Sequence, residues 1–296
     1  MEPLQVQQRI EETCVQDIRS KLFAEMDHKY LSAIIAQPTP ERLQLALSEA
    51  ICEAAGLDGK ETETIVSTLL LIYHGLALHE EIETLARHED ERFRQLGVLG
   101  GAYYSSKYYR LMAESGQIKL LGQFARAIQS INEMKAELVR VPGDFTLSVE
   151  RYLHLQETIH GALLRTLCDA LLPQDSRWEQ LVTHLVRASV LKAELDNMSG
   201  HTWVRGAANL SLWQKANSEE KKWLKAMKAS DGPDKRLMSL YVKYGTSTYL
   251  FSLLEEAASL AEPAMMMMQG LRDELRALPG QLMAPGAYSR RVCEEG

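Results

Sequence analysis

A cluster of glutamates follows an apolar run in LALHEEIETL, residues 76–85. Two carboxylates four residues apart on a helix share a face. Mg²⁺ takes such oxygen ligands together with phosphate oxygens. Here the acids are Glu80, Glu81 and Glu83, but the residue four positions after Glu80 is Thr84. On spacing alone, a solvated acidic end of a buried helix is favoured over a working metal site.

Two ExxH motifs offer a different metal chemistry. They are Glu25 with His28, and Glu157 with His160. Di-iron helical bundles combine two such pairs with two further glutamates. The motif is short and arises by chance in glutamate-rich helices, so a di-iron site is kept only as an alternative.

Small and aromatic residues alternate in GVLGGAYYSSKYYRLM, residues 97–112. The glycines would allow another helix or a ligand to approach the backbone closely, and helix packing with tyrosine hydroxyls at the rim is favoured. Methionines 265–268 could line a lipid tunnel or a partner surface, although core filling is the simpler use. Lys221, Lys222, Lys225 and Lys228 are most simply a solvated face.

The elements that must position these residues are all helices. No run alternates with period two, so we expect no sheet. Helix breaks are indicated at Gly56 and at Pro142-Gly143. We predict one all-α domain over 1–296, with N-terminal helices in 1–59, a polar helical insert at 199–233 and a last pair of helices over 237–260 and 264–278.

Composition limits the classes of function. Hydrophobic residues make up 46% of the 296-residue chain and charged residues 25%, which is typical of globular proteins. The net charge of -7 argues against broad nucleic-acid binding. No CxxC pair, signal-peptide pattern or uninterrupted apolar span occurs, so we expect reduced thiols and a cytoplasmic location. Transient contact with a membrane surface stays open.

The order of the motifs is more informative than any one of them. A buried apolar helix ends in HEEIE, and VLGGAYY, INEMKAEL and RYLHLQETIHGALLRTLCDALL follow in turn. From about Thr62 to the end, this order resembles the trans-prenyl diphosphate synthases. Those all-α helical bundles join isopentenyl units onto an allylic diphosphate. The block RQLGVLGGAYYSSKYYRLM is most similar to the small, non-catalytic subunits, component 1, of heteromeric heptaprenyl diphosphate synthases.

The chain departs from the catalytic members of that family at the residues that bind metal and diphosphate. Glu80 and Glu81 stand at the first two aspartates of the first acidic site, and Thr84 stands at the third. The remaining departures are Ala102 for the acid of a Gly-Asp pair, Gln156 for a phosphate-binding lysine, and Lys192 for the first ligand of the second acidic site. Glu194 and Asp196 are what is left of that second site.

These departures imply that the chain does not catalyse alone. In the family, Mg²⁺ ions between two carboxylate clusters stabilise the leaving diphosphate. The resemblance therefore implies a regulatory subunit with no cofactor of its own, paired with a catalytic subunit, component 2, that holds Mg²⁺. The product would be a long polyprenyl diphosphate for a menaquinone side chain. A self-sufficient synthase with glutamate ligands is the alternative.

The resemblance also implies a role in setting product length. In the family, residues just before the first aspartate often form the floor of the product tunnel. A bulky residue such as Trp at Gly75 would then shorten the product or abolish activity, and leave the complex intact. The predicted tunnel or interface positions are Gly75, Leu76, Ala77, Gly101, Tyr104 and Tyr108.

Overall fold

The protein is described here from a computed structural model, which covers residues 18, 20–31, 42–85, 91–139, 147–198, 206–226 and 235–284, without the side chains of 79–85, 92–94 and 139. All regular structure in these residues is helical, as predicted. The helices are α1 (20–26), α2 (Arg42–Ala54), α3 (Gly59–Leu85), α4 (Glu91–Glu114), α5 (Ile118–Val139), α6 (Val149–Leu171), α7 (Ser176–Asn197), α8 (Ala207–Lys215), α9 (Ser218–Ala226), α10 (Lys235–Lys243), α11 (Thr246–Met266) and α12 (Asp273–Leu282).

The chain divides into two compact units. The first unit comprises Met1–Ala125 and Leu167–Pro173, and the second comprises Arg126–Thr166 and Gln174–Gly296. A compact unit need not be an independent domain, so one domain over 1–296 stays a prediction.

Helix α3 is the centre of the first unit. Asp58 and Glu61 form a reciprocal capping box at its start: the Glu61 N–H donates to Asp58 Oδ1 at 2.8 Å, and the Asp58 N–H donates to Glu61 Oε2 at 3.3 Å. Residues 65–72 are all buried, because apolar side chains cover almost the whole circumference of this helix. Helices α2 and α4 pack against it. Gly56, with φ of 73°, ends α2 at the predicted stop.

Helix α7 is the centre of the second unit, where it packs against α8, α11 and α12. It begins where the Asp175 side chain accepts a hydrogen bond from the Arg177 N–H. The continuous helix predicted over 237–260 is wrong, because Gly245 adopts a left-handed φ of 61° and separates α10 from α11. The helix predicted over 264–278 is also wrong, since α11 continues through Pro263 to Met266.

The predicted polar insert at 199–233 is described over 206–226. This part is helical, as expected. However, residues 207–212 of α8 are all buried, with Ala207 and Leu212 fully enclosed. Helix α8 therefore belongs to the core of the second unit, and only α9 presents a mostly exposed face.

Three smaller predictions concern the cysteines and the membrane. Cys52 and Cys168 are free and buried, whereas Cys14 and Cys293 lie outside the described residues. Burial and the nearby Glu49 charge raise the pKa of the Cys52 thiol to about 12, so it is an inert core residue. Within the described part of the chain, no helix is both long and apolar enough to cross a bilayer.

Candidate functional site

Glu194, which the resemblance assigns to the second acidic site, holds together three elements of the second unit. The Tyr152 hydroxyl on α6 donates a hydrogen bond to Glu194 Oε1 at 2.8 Å. The backbone N–H of Ala207, the first residue of α8, donates to Oε2 at 2.7 Å. The residue before α8, Gly206, supplies no side-chain cap. Glu194 thus performs from a distant helix the capping that a local side chain usually provides.

Gly206 makes room for this carboxylate. A Cβ atom at residue 206 would lie 2.8 Å from Glu194 Oε2, which is far inside normal contact. The backbone of Gly206 is extended, with φ of -173°, so any residue could adopt it. The requirement for glycine at this position is therefore steric.

The electrostatics of the cluster are those of a buried hydrogen-bond network. Burial raises the pKa of the Glu194 carboxyl, and the bonds from Tyr152 and Ala207 partly oppose that shift. Burial and the Glu194 charge hold the pKa of Tyr152 well above its ordinary value, so the phenol is a neutral donor. Gln156 donates to the Tyr152 oxygen at 3.0 Å. The side chain at the family's lysine position thus extends this internal network.

Lys192 and Asp196 neutralise each other one helical turn apart. Lys192 Nζ lies 2.5 Å from Asp196 Oδ2. Mg²⁺ needs oxygen ligands with lone pairs directed at the ion. A lysine cation at the place of the first ligand repels such an ion, and both Glu194 oxygens already accept hydrogen bonds. The described side chains at this position do not fit a magnesium site.

Both ExxH glutamates have basic partners. In the second unit, Glu157 Oε1 accepts a hydrogen bond from Arg187 on α7 at 2.7 Å. In the first unit, Arg110 donates to both oxygens of Glu25 at 2.8 and 2.7 Å, and Lys107 lies 3.2 Å away. Burial acts to raise the pKa of Glu25, but the hydrogen bonds from Arg110 and Lys107 outweigh it and lower the pKa.

These contacts argue against the di-iron interpretation. Helix α1 ends at residue 26, so His28 does not extend the helical face of Glu25. Instead its ring packs edge-on against Tyr103, with 5.0 Å between centroids. Among the side chains that the structure describes, no three His, Cys, Asp or Glu residues are grouped to hold a metal ion.

The predicted tunnel positions in the first unit include a close helix contact. A Cβ atom at Gly75 of α3 would lie 3.6 Å from both the Gly101 carbonyl oxygen and the Tyr104 Cβ of α4. The structure brings these three residues together in a contact between two helices, and their role at a product tunnel stays a prediction. A large side chain at residue 75 would have to push α4 away.

The other predicted positions differ in exposure. Tyr104 and Tyr108 are buried on α4, and burial raises the pKa of both phenols. The Tyr108 ring stacks on Tyr109 with 4.5 Å between centroids. Leu76 and Ala77 are half-buried. Helix α3 runs on through Glu80, Glu81 and Glu83, whose side chains lie outside the described residues.

Three residues of the second unit were missed from the sequence. Tyr152 lies four residues before Gln156 on the same face of α6, a spacing that could have suggested their contact. Gly206 and Arg187 carry no such local signal, because their partners lie 12 and 30 residues away along the chain.

Most of the chain matches one protein family. Residues 28–233 match the family described as heptaprenyl diphosphate synthase (HEPPP synthase) subunit 1. Heptaprenyl diphosphate synthase component 1 of Geobacillus stearothermophilus is 34% identical over 117 residues, which are 40% of this chain and 51% of that protein. The chain thus spans about half the length of this relative.

Solved structures share the fold at low sequence identity. Decaprenyl diphosphate synthase from Rhodobacter capsulatus is 15% identical with a TM-score of 0.75, covering 96% of this chain and 98% of that chain. Geranylgeranyl pyrophosphate synthetase from Pyrococcus horikoshii Ot3 is 16% identical with a TM-score of 0.73, covering 94% and 97%. The all-α isoprenoid-synthase fold is thereby confirmed, and the chain belongs to the heptaprenyl diphosphate synthase subunit 1 family.

Proposed function

We propose that this protein is the non-catalytic, regulatory subunit of a heteromeric long-chain prenyl diphosphate synthase. One observation carries the proposal. At the second acidic site, both Glu194 oxygens accept internal hydrogen bonds and Lys192 is paired with Asp196. The Lys192 cation repels a metal ion at this position and occupies Asp196, while the Glu194 carboxylate is committed to the internal network, so this arrangement supports a structural use of the site.

A catalytic partner subunit would supply what this chain lacks. That partner, component 2, would carry the open carboxylate clusters, the Mg²⁺ ions and the sites for both substrates. Its substrates would be farnesyl diphosphate and isopentenyl diphosphate, and the long product would serve as the side chain of menaquinone.

The contribution of this chain would be an apolar wall. Each CH₂ group of a prenyl tail costs ~0.8 kcal/mol to expose to water, so a long tail needs an enclosed path. The half-buried Leu76 and Ala77 on α3 are the positions of this chain that such a path would contact. Gly75 supports them indirectly, since it fixes the spacing between α3 and α4.

A prenyltransferase assay in three tubes tests the proposal. One tube contains this protein, one the catalytic subunit and one both, each with farnesyl diphosphate, labelled isopentenyl diphosphate and Mg²⁺. We expect long product only in the mixed tube. Product from this protein alone would contradict the proposal and favour the self-sufficient synthase with glutamate ligands.

A variant of the acidic site sharpens the assay. The double change Lys192→Ala with Asp196→Asn removes the ion pair and leaves the Glu194 network in place. We expect full activity in the mixed tube, because no metal is bound there. Lost activity in a complex that still assembles would show that this site takes part in the reaction.

A further inference from the structure

A tryptophan lies on each side of the exposed surface of α9: Trp213 of α8 on one side, and Trp223 of α9 itself on the other. On one flank, Lys221 and Lys225 lie one turn apart and stand over the Trp213 ring of α8, at 5.5 and 5.4 Å from its centroid. On the other flank, Arg236 of α10 stands over Trp223 at 4.5 Å. Leu224 points inward and is fully buried. The basic–aromatic surface consists of Trp213, Lys221, Lys222, Trp223, Lys225 and Arg236.

The surface is locally basic within an acidic protein. Residues 206–249 contain eight Lys or Arg and four Asp or Glu, whereas the rest of the chain contains 25 and 36. Of those four acids, Glu220 is already engaged by Lys243 at 2.7 Å and by the Tyr244 hydroxyl at 2.6 Å. Lys222 and Lys225 are exposed and Lys221 is half-buried, with little compensating acidic charge nearby, so these lysines attract an anionic partner.

The aromatic residues indicate which kind of anion fits. Both tryptophans are half-buried, with an apolar body against the protein and an exposed portion among cations. Tryptophan with this amphipathic placement is enriched at membrane–water interfaces. Lysine side chains fit the same interface, because their aliphatic carbons pack on apolar groups while the ammonium stays in water. Nucleic-acid bases need open ring faces for stacking, and here basic groups occupy positions over both rings.

We propose that the basic–aromatic surface binds the headgroups of an anionic phospholipid membrane. Helix α9 would lie on the bilayer surface, with Lys222 facing the lipid headgroups and both tryptophans at headgroup depth. This inference rests on the surface alone and does not depend on the proposed function. It replaces the simpler prediction that these lysines are only a solvated face.

Vesicle binding by the full chain tests it. We expect the protein to float with vesicles of phosphatidylcholine and phosphatidylglycerol, not with phosphatidylcholine alone, and to be released by salt. Replacing Lys221, Lys222 and Lys225 by Gln should weaken binding about 100-fold, because each basic group near an anionic surface contributes about a factor of five. The matched control, Lys60→Gln with Lys119→Gln and Arg126→Gln, changes the net charge equally and should bind like the wild type.

The depth of the tryptophans in the bilayer distinguishes binding through this surface from other causes of vesicle binding. Lipids that carry a quencher near the headgroup should quench tryptophan emission, and Trp213→Phe with Trp223→Phe should lose most of that quenching. Equal binding to neutral vesicles, unchanged binding by the triple variant, or an equal loss in the control would each overturn the proposal. Binding of single-stranded RNA or an acidic protein that requires the three lysines, without vesicle binding, would assign the surface to that partner instead and also overturn it.

Discussion

The α3–α4 contact in the first unit and the Glu194 cluster in the second are built in opposite ways. In the first, Gly75 has no side chain, so the Gly101 carbonyl oxygen and the Tyr104 Cβ of α4 lie close to α3. In the second, Gly206 removes a side chain so that a carboxylate can reach a helix end. Glycine thus supports apolar packing in one unit and polar capping in the other, and substitutions should separate the two roles.

The largest effect is expected from Gly75→Trp. An indole at this position cannot fit between α3 and α4, and such overpacking costs about 3 kcal/mol of unfolding free energy. Urea denaturation measures the loss. Gly75→Ala is the matched control, because its Cβ would meet Gly101 and Tyr104 at an ordinary 3.6 Å and alanine favours a helix.

The tunnel-floor interpretation makes the opposite prediction for the same variant. If Gly75 faced an open product path, Gly75→Trp would fold normally, assemble with its partner and shorten the product. Normal stability with a shorter product would therefore contradict the packing role that we assign to this glycine.

An intermediate effect is expected from Gly206→Ala. The added Cβ would displace the Glu194 carboxylate from the Ala207 N–H and weaken a hydrogen bond to a charged group, at a cost of about 2 kcal/mol. Thermal and urea unfolding measure the change. Gly280→Ala in α12 is the control, because nothing lies within 4 Å of its new Cβ, and it should be neutral or stabilising. Equal behaviour of the two variants would argue against the steric role of Gly206.

The smallest effect is a pH dependence that Glu194→Gln should remove. Burial raises the folded-state pKa of Glu194, so the folded protein holds this proton more tightly than the unfolded chain does. Protonation of Glu194 therefore stabilises the folded protein below the ordinary Glu pKa of about 4.3. This stabilisation is lost as the pH rises through the raised pKa of Glu194 in the folded protein.

The difference in unfolding free energy between wild type and Glu194→Gln isolates this titration, because groups shared by both proteins, such as Glu157, cancel. The wild type should lose stability relative to the variant over that pH interval, measured by urea midpoints. Parallel curves would show that the Glu194 pKa is not raised.

Local sequence signals predicted much of the fold. The mostly apolar run in α3, Asp58 with Glu61, and Gly56 each act within one or two helical turns, so the burial and boundaries of that region could be predicted. The boundary predicted between 260 and 264 failed because α11 continues through Pro263, at the loss of one intrahelical hydrogen bond, whereas the left-handed Gly245 broke the helix that periodicity had joined.

The sequence by itself determined the helical class and the family, since these depend on residue identity and order, and it supports the prediction that Gln156 and Lys192 replace catalytic residues. Only the tertiary structure decided that Glu194 caps α8, that Gly75 spaces two helices and that basic side chains stand over Trp213 and Trp223. The physical reason is that hydrogen-bond partners, steric room and clustered charge depend on which distant segments the fold brings together.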